Sequence, residues 1–172
     1  AMVEPTLAVI DLLTAKIKEF DKSIAQLCEE KYPETGTLRQ IGGIGPITAL
    51  TYRLVVGDPE RFEKSRDVGA YLGLVPKRDQ SGGLDKELRI SKAGNKYMRT
   101  LLVGAAQYIL GPFGSDCDLR RSGLKLADRG GRGAKKKAVV ATARKLAVLM
   151  HVLWTTGADY RALREPAVKD AA

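Results

Sequence analysis

With 172 residues, 44% of them hydrophobic and 28% charged, the chain has the material for one domain with a core plus a helical appendage, and it is too apolar for a disordered tail. No apolar run approaches the roughly 20 residues of a membrane span, the first thirty residues do not read as a signal peptide, and two cysteines cannot form a disulfide framework; a soluble cytoplasmic protein with no membrane partner is expected. Residues 1–60 carry six Lys/Arg against nine Asp/Glu, a net of −3, whereas 61–172 carry twenty-three against eleven, a net of +12, so the later part is the one suited to a polyanion.

Ala1-Met2 reads as an added start on a piece of a longer protein. Pro5 suits a first helical turn, and an amphipathic helix is predicted to about Lys31. Its apolar residues Ile10, Leu13, Ile17, Phe20, Ile24 and Leu27 are spaced 3, 4, 3, 4, 3, an a/d seam on a rod of roughly 37 Å. Such a seam needs a partner, either a second copy of the chain or the body of its own domain. The acidic faces beside it read as solvated, which favours a coiled coil and a homo-oligomer through this helix.

Tyr32-Pro33 and Thr35-Gly36 end that helix, and Thr37–Ile41 starts the next element. A short helix is expected over Thr48–Val56, between a Gly-Pro start and the Gly57-Asp58-Pro59 stop, and another over Ser65–Leu72. Pro76 to Ile90 is polar and glycine-containing, a loop or a small β-hairpin near 77–91. Helical spacing resumes over Ala93–Leu110 and Leu119–Ala127, with a flexible break at Arg129–Gly133. Ala134–Thr156 is a long helix, nearly apolar all round from Leu146 to Trp154, hence the buried spine. The expected fold is mainly α: a coiled-coil connector over 1–34, a helical domain over 35–165 and a tail over 166–172.

Three stretches carry chemistry. In Ile41-Gly-Gly-Ile-Gly-Pro46, Gly43 and Gly45 flank Ile44 and allow backbone conformations closed to residues with a Cβ, so that Ile44 tucks inward and amides point out. Pro46 then opens a helix whose free N–H groups and dipole favour an anion, a concave set of donors that holds a phosphate without reading a base. These residues resemble the helix-hairpin-helix motif, which grips the DNA backbone; the rival reading is a tight turn with no ligand.

Between Lys77 and Arg99, seven basic residues face three acids. Arg78, Arg89, Lys92 and Arg99 are candidate phosphate ligands, and Ser91-Lys-Ala-Gly-Asn95 is placed to cap the next helix and add an anion site there. Ser81 precedes two glycines, which leaves its hydroxyl uncrowded, but a serine needs a proton acceptor to attack, and no His or unpaired acid is evident; by itself it reads as a turn serine. Between Arg120 and Lys137, eight Lys/Arg face only Asp128. Lys135, Lys136 and Lys137 open a helix, where cations are disfavoured, a placement that makes sense if a phosphate sits there with Arg129 and Arg132 around it. If six to eight phosphates are neutralised, log K falls with log salt at a slope of roughly −5 to −7. His151, on the spine helix, reads as a core histidine without the neighbours of a metal site, and Trp154 as core.

Taken together, Ile41–Pro46, Tyr71-Leu-Gly-Leu-Val-Pro76, Ser81-Gly-Gly83, Ile90-Ser-Lys-Ala-Gly-Asn95 followed by Met98-Arg99, and Ala143-Arg-Lys-Leu146 resemble, in order and spacing, the C-terminal domain of insertion-sequence transposases of the IS110 type. The resemblance runs from Ile41 to Tyr160. It implies a recombinase acting on insertion-element DNA under an element-encoded guide RNA, with a nucleophilic serine that maps onto Ser81 and the helix at 7–31 as connector. It also implies an N-terminal RuvC-like domain whose four acids bind Mg2+ (a DEDD-type site). The 172 residues leave no room for that domain, so this piece is expected to bind nucleic acid without turning over. Two alternatives stand beside this one: a non-catalytic helix-hairpin-helix nucleic-acid-binding module in which Ser81 is structural, and a dimerisation module whose basic residues only aid solubility.

Overall fold

The computed structural model describes residues 3–81 and 84–163, with the side chains of 78–87 left out, so the expected tail at 166–172 lies outside the described residues. The chain is mainly helical. Helix α1 (Glu4–Lys31) is followed by α2 (Thr35–Arg39), α3 (Pro46–Val56), a 3-10 turn (Pro59–Arg61) and α4 (Asp67–Tyr71). Strands β1 (Pro76–Ser81) and β2 (Leu84–Ile90) form an antiparallel hairpin, and α5 (Lys96–Leu110), α6 (Asp118–Ala127) and α7 (Ala134–Thr156) complete the body.

Helix α7 is the spine. Ala138, Thr142, Ala143, Leu146, Ala147, Met150, His151 and Leu153 are buried along it, and α4, α5 and α6 pack on it. By length and composition α7 is apolar enough to cross a membrane, contrary to the expectation from uninterrupted runs, but 44% of that window is buried inside the fold. Leu102, Ala106 and Ile109 of α5, Tyr52 and Val56 of α3, and Val68 of α4 close the core around it. Each fully buried leucine contributes about 1.5–3 kcal/mol. The Tyr52 hydroxyl donates to the Ala147 carbonyl at 2.7 Å, tying α3 to the spine, and Trp154 packs edge-on against Tyr52. His151 is 2% exposed, its ring nitrogens 3.0 Å from Ser65 Oγ and 2.9 Å from the Pro59 carbonyl, a satisfied core histidine as expected.

Helix α1 behaves differently. Only its last turns dock, with Cys28 buried where α1 meets α2 and α3. Ile10, Leu13, Ile17 and Phe20 of the seam are each more than half exposed, and Ile24 and Leu27 are half-buried. The body of the domain therefore covers only the C-terminal third of the seam.

The start of α5 departs from expectation. Helical spacing suggested Ala93, but Lys92 (φ 57°) and Gly94 (φ 72°) are left-handed, and the helix begins only after Asn95, whose side chain accepts from the Met98 N–H at 2.9 Å. The cause is a backbone crossing. A Cβ on Gly94 would lie 2.1 Å from the Tyr71 carbonyl oxygen, and one on Gly73 would lie 2.2 Å from that of Ala93. The Ser91 N–H donates to Val75 and the Lys92 N–H to Gly73, at 2.8 and 3.1 Å, which fastens the base of the hairpin to the end of α4.

Candidate nucleic-acid interface

The glycine turn has the expected local form. Gly43 sits at φ 89°, a conformation that favours glycine, and a Cβ there would press on the Tyr108 ring of α5, 2.9 Å from its Cδ1. Ile44 is buried at 6% exposure, and its N–H donates back to Ile41 at 3.0 Å. Gly45 is the N-cap of α3, extended at φ −90° and ψ 176°, with no side-chain cap, and Pro46 follows. The helix start thus has no side-chain cap for its first N–H groups. Beside the turn, Gln40 donates to Asp159 and accepts the Tyr160 N–H at 2.6 Å, pinning the C-terminal end of the domain against it.

The two basic stretches, 78 to 99 and 120 to 137, are brought partly together. Lys136 and Lys137 on the first turn of α7 face Arg89 and Lys92 at the base of the hairpin across a groove of about 990 Å3. Arg66, Arg144 and Lys145 add to the same groove, which gives seven cations and no acid among its described lining residues. Its floor is apolar, from Leu74, Ile90, Val140 and Val148. The ion pairs among the described residues, Lys16–Glu19, Arg53–Glu34 and Arg121–Asp116, all lie elsewhere, so no described acid neutralises this charge. Arg144 lies across Gly69 of α4, where a Cβ would be 2.9 Å from its Cγ, and Lys145 donates to Ser122 of α6. Sequence reading missed Arg66, Arg144 and Lys145 as site residues. Their one signal was that Arg144 and Lys145 stand in a motif that had no role assigned.

Other candidates fall outside the groove. Arg99, expected to be a phosphate ligand, is 9% exposed and donates to the Leu72 and Ala93 carbonyls at 3.0 and 2.7 Å. It is a brace for the crossing beneath the hairpin, because its position on α5 falls on the stripe of Leu102, Ala106 and Ile109. Asn95 spends its side-chain oxygen on the helix cap. Lys77, Arg129, Arg132 and Lys135 are exposed and do not line the groove. Ser81 pairs with Leu84 at the far end of the hairpin, five residues beyond Pro76 and so about 16 Å out along the strand. Its hydroxyl and the Arg78 side chain lie outside the described residues.

Among the described residues, no group of three or more His, Cys, Asp or Glu side chains could hold a metal ion. The described residues do not fit the Mg2+ that the resemblance implies for an acidic domain.

Comparison with known proteins finds insertion-sequence transposases similar to this chain. It is 38% identical over 125 residues to the transposase for insertion sequence element IS1111A of Coxiella burnetii, covering 72% of this chain and 34% of that protein. A probable family 20 transposase of Pseudomonas aeruginosa is 36% identical over 125 residues, covering 72% of this chain and 36% of its own length. A pilin gene-inverting protein of Moraxella lacunata is 28% identical over 141 residues, covering 80% of this chain and 42% of its own. The chain thus spans about a third of the length of the two transposases. Residues 36–113, from α2 through the glycine turn and the hairpin to just past the end of α5, match the transposase IS116/IS110/IS902 family.

Proposed function

We propose that the chain is the DNA-binding and strand-joining part of a transposase that moves an insertion sequence. The observation that carries this reading is the groove of seven cations, with no acid among its described lining residues, at the base of the hairpin that ends in Ser81. A phosphodiester strand lying along such a groove is neutralised by side chains while the hairpin reaches out beside it. Ser81 Oγ then attacks phosphorus: the Oγ–P bond forms, the bridging P–O bond to one strand end breaks, the serine proton leaves to a base, and the departing oxygen takes up a proton. The resulting phosphoserine link conserves the bond energy for rejoining. The glycine turn anchors the duplex backbone through the amides at the start of α3, without reading sequence.

Partners follow from the same reading. The exposed seam of α1 pairs with a second copy of the chain, and an element-encoded guide RNA supplies the sequence information that amides and lysines do not. The deciding experiment is Ser81→Ala in the full-length transposase. Strand joining is expected to vanish while DNA binding in a gel-shift assay stays unchanged. Joining that survives the substitution removes Ser81 from the mechanism and leaves a binding module.

A further inference from the structure

The groove's floor says something that its charge does not. A duplex laid over lysines offers them its phosphates and keeps its base faces stacked inside the helix. Here the floor is Leu74, Ile90, Val140 and Val148, framed at the hairpin by Pro76 and Leu88. Leu88 is 46% exposed, an apolar side chain left open beside cations. The seven basic residues form both walls: Arg89 and Lys92 on the hairpin side with Arg66 at the start of α4, and Lys136, Lys137, Arg144 and Lys145 on α7. Charged walls over an apolar floor match a chain whose phosphates lie outward along two sides and whose uncharged parts turn inward.

We infer that this groove holds an unpaired nucleic-acid strand, its phosphates on the lysines and arginines of the walls and its sugars and base faces on the apolar floor. The open groove, of about 990 Å3, has room along its floor for a short stretch of a single strand. No aromatic residue is among the described lining residues, so base stacking on side chains contributes nothing and sequence preference is weak. The site sits where the hairpin leaves the body, so the strand that enters it is delivered toward Ser81. This rests on the proposed DNA-handling role, and it adds that the strand is separated from its complement where the chain holds it.

The test uses the 172-residue chain and a fluorescent single-stranded oligonucleotide of 12 nucleotides, with the same sequence as a duplex for comparison. Single strand is expected to bind tighter than duplex. Lys136→Ala/Lys137→Ala, at two exposed positions, should weaken single-strand binding about tenfold near 0.1 M salt and lower the salt slope by about 1.4, since each phosphate contact on a single strand contributes about 0.7. Val140→Glu, which places an acid on the floor, should do more to the single strand than to the duplex, with circular dichroism confirming the fold. Tighter duplex binding that the lysine variant weakens equally overturns the unpaired strand. Binding of both forms untouched by either variant overturns the groove itself. Displacement of the oligonucleotide by poly-glutamate of matched charge, at matched potency, shows an acidic peptide site and overturns the nucleic acid. None of these outcomes depends on strand joining, so the Ser81→Ala result in the full-length protein stands or falls separately.

Discussion

The glycine turn and the groove are both suited to an anion, but they are made of different material. At the turn the positive end is backbone: Gly45 caps α3 without a side chain, and the partial charge of a helix start is about half an elementary charge. In the groove it is side chain, seven full charges drawn from α4, the hairpin and α7. Amides fix position and are indifferent to the identity of the base, whereas a row of cations gains its affinity by releasing counterions from the strand. The two regions should therefore separate in a salt titration. They also differ in what supports them, since the turn rests on α5 through Tyr108, while the groove depends on the crossing of Gly73 and Gly94 that sets the hairpin against α4.

The largest effect is expected at that crossing. Gly94→Ala puts a Cβ 2.1 Å from a backbone oxygen at φ 72°, and neither the Tyr71 carbonyl nor the left-handed turn can yield cheaply. A loss of about 3 kcal/mol or more of stability is expected, read as a lower midpoint in urea. If the variant unfolds at the wild-type midpoint, the crossing does not set the hairpin. Next comes the joint replacement of Lys136, Lys137, Arg144 and Lys145 by Gln. It should flatten the salt slope for a single strand by about 2.8 and weaken binding near 0.1 M by roughly two orders of magnitude. An unchanged slope would show that the groove does not meet phosphate and would leave the turn as the sole anion site.

How much of this could be read from the sequence depended on whether the cause was local. The bounds of α7 at Ala134 and Thr156 were readable because glycines flank both ends, Gly133 and Gly157, each at positive φ. The start of α5 was not, because helical spacing through Ala93 gave no sign that Lys92 and Gly94 are held left-handed by a segment twenty residues earlier. Arg99 was expected as a ligand from the company it keeps in sequence, whereas its register with Leu102, Ala106 and Ile109 places it on the core stripe. The groove could be foreseen only in halves. Arg89 and Lys92 were recognisable as one basic stretch, Lys136 and Lys137 as another, but that α7 lies beside the hairpin is a fact of packing, and it alone recruits Arg66 and Arg144.

A smaller effect is expected at the turn itself. Gly43→Ala meets an aromatic edge rather than a backbone atom, and Tyr108 is half exposed and can give way, so the cost is mostly that of the positive φ, about 1–2 kcal/mol. Binding to duplex should weaken with the salt slope unchanged, because an amide site releases no counterion through a cation of its own. A slope that falls with Gly43→Ala would show that the turn and the groove are one site.

The smallest effect lies next to the turn, at Tyr160. Burial first, then the neighbouring Cys117 and Asp118, pushes its phenol up to about 12. The folded chain therefore keeps a proton between pH 10 and 12 that the unfolded chain has released, so the stability this group contributes is full below pH 10 and is lost as pH rises toward 12. Tyr52, whose phenol is also shifted upward by burial, adds to the same alkaline decline. Tyr160→Phe should shallow the decline between pH 10 and 12 without abolishing it, measured as thermal midpoints at pH 9 and pH 11.5. Because the Tyr160 backbone is held by Gln40 at the turn, while of the seven groove cations Lys145 alone shares a described cavity with Tyr160, alkaline loosening should weaken the amide site before the charged one. Single-strand binding that fails at the same pH as duplex binding, in wild type but not in Tyr160→Phe, would show instead that the turn and the groove loosen together.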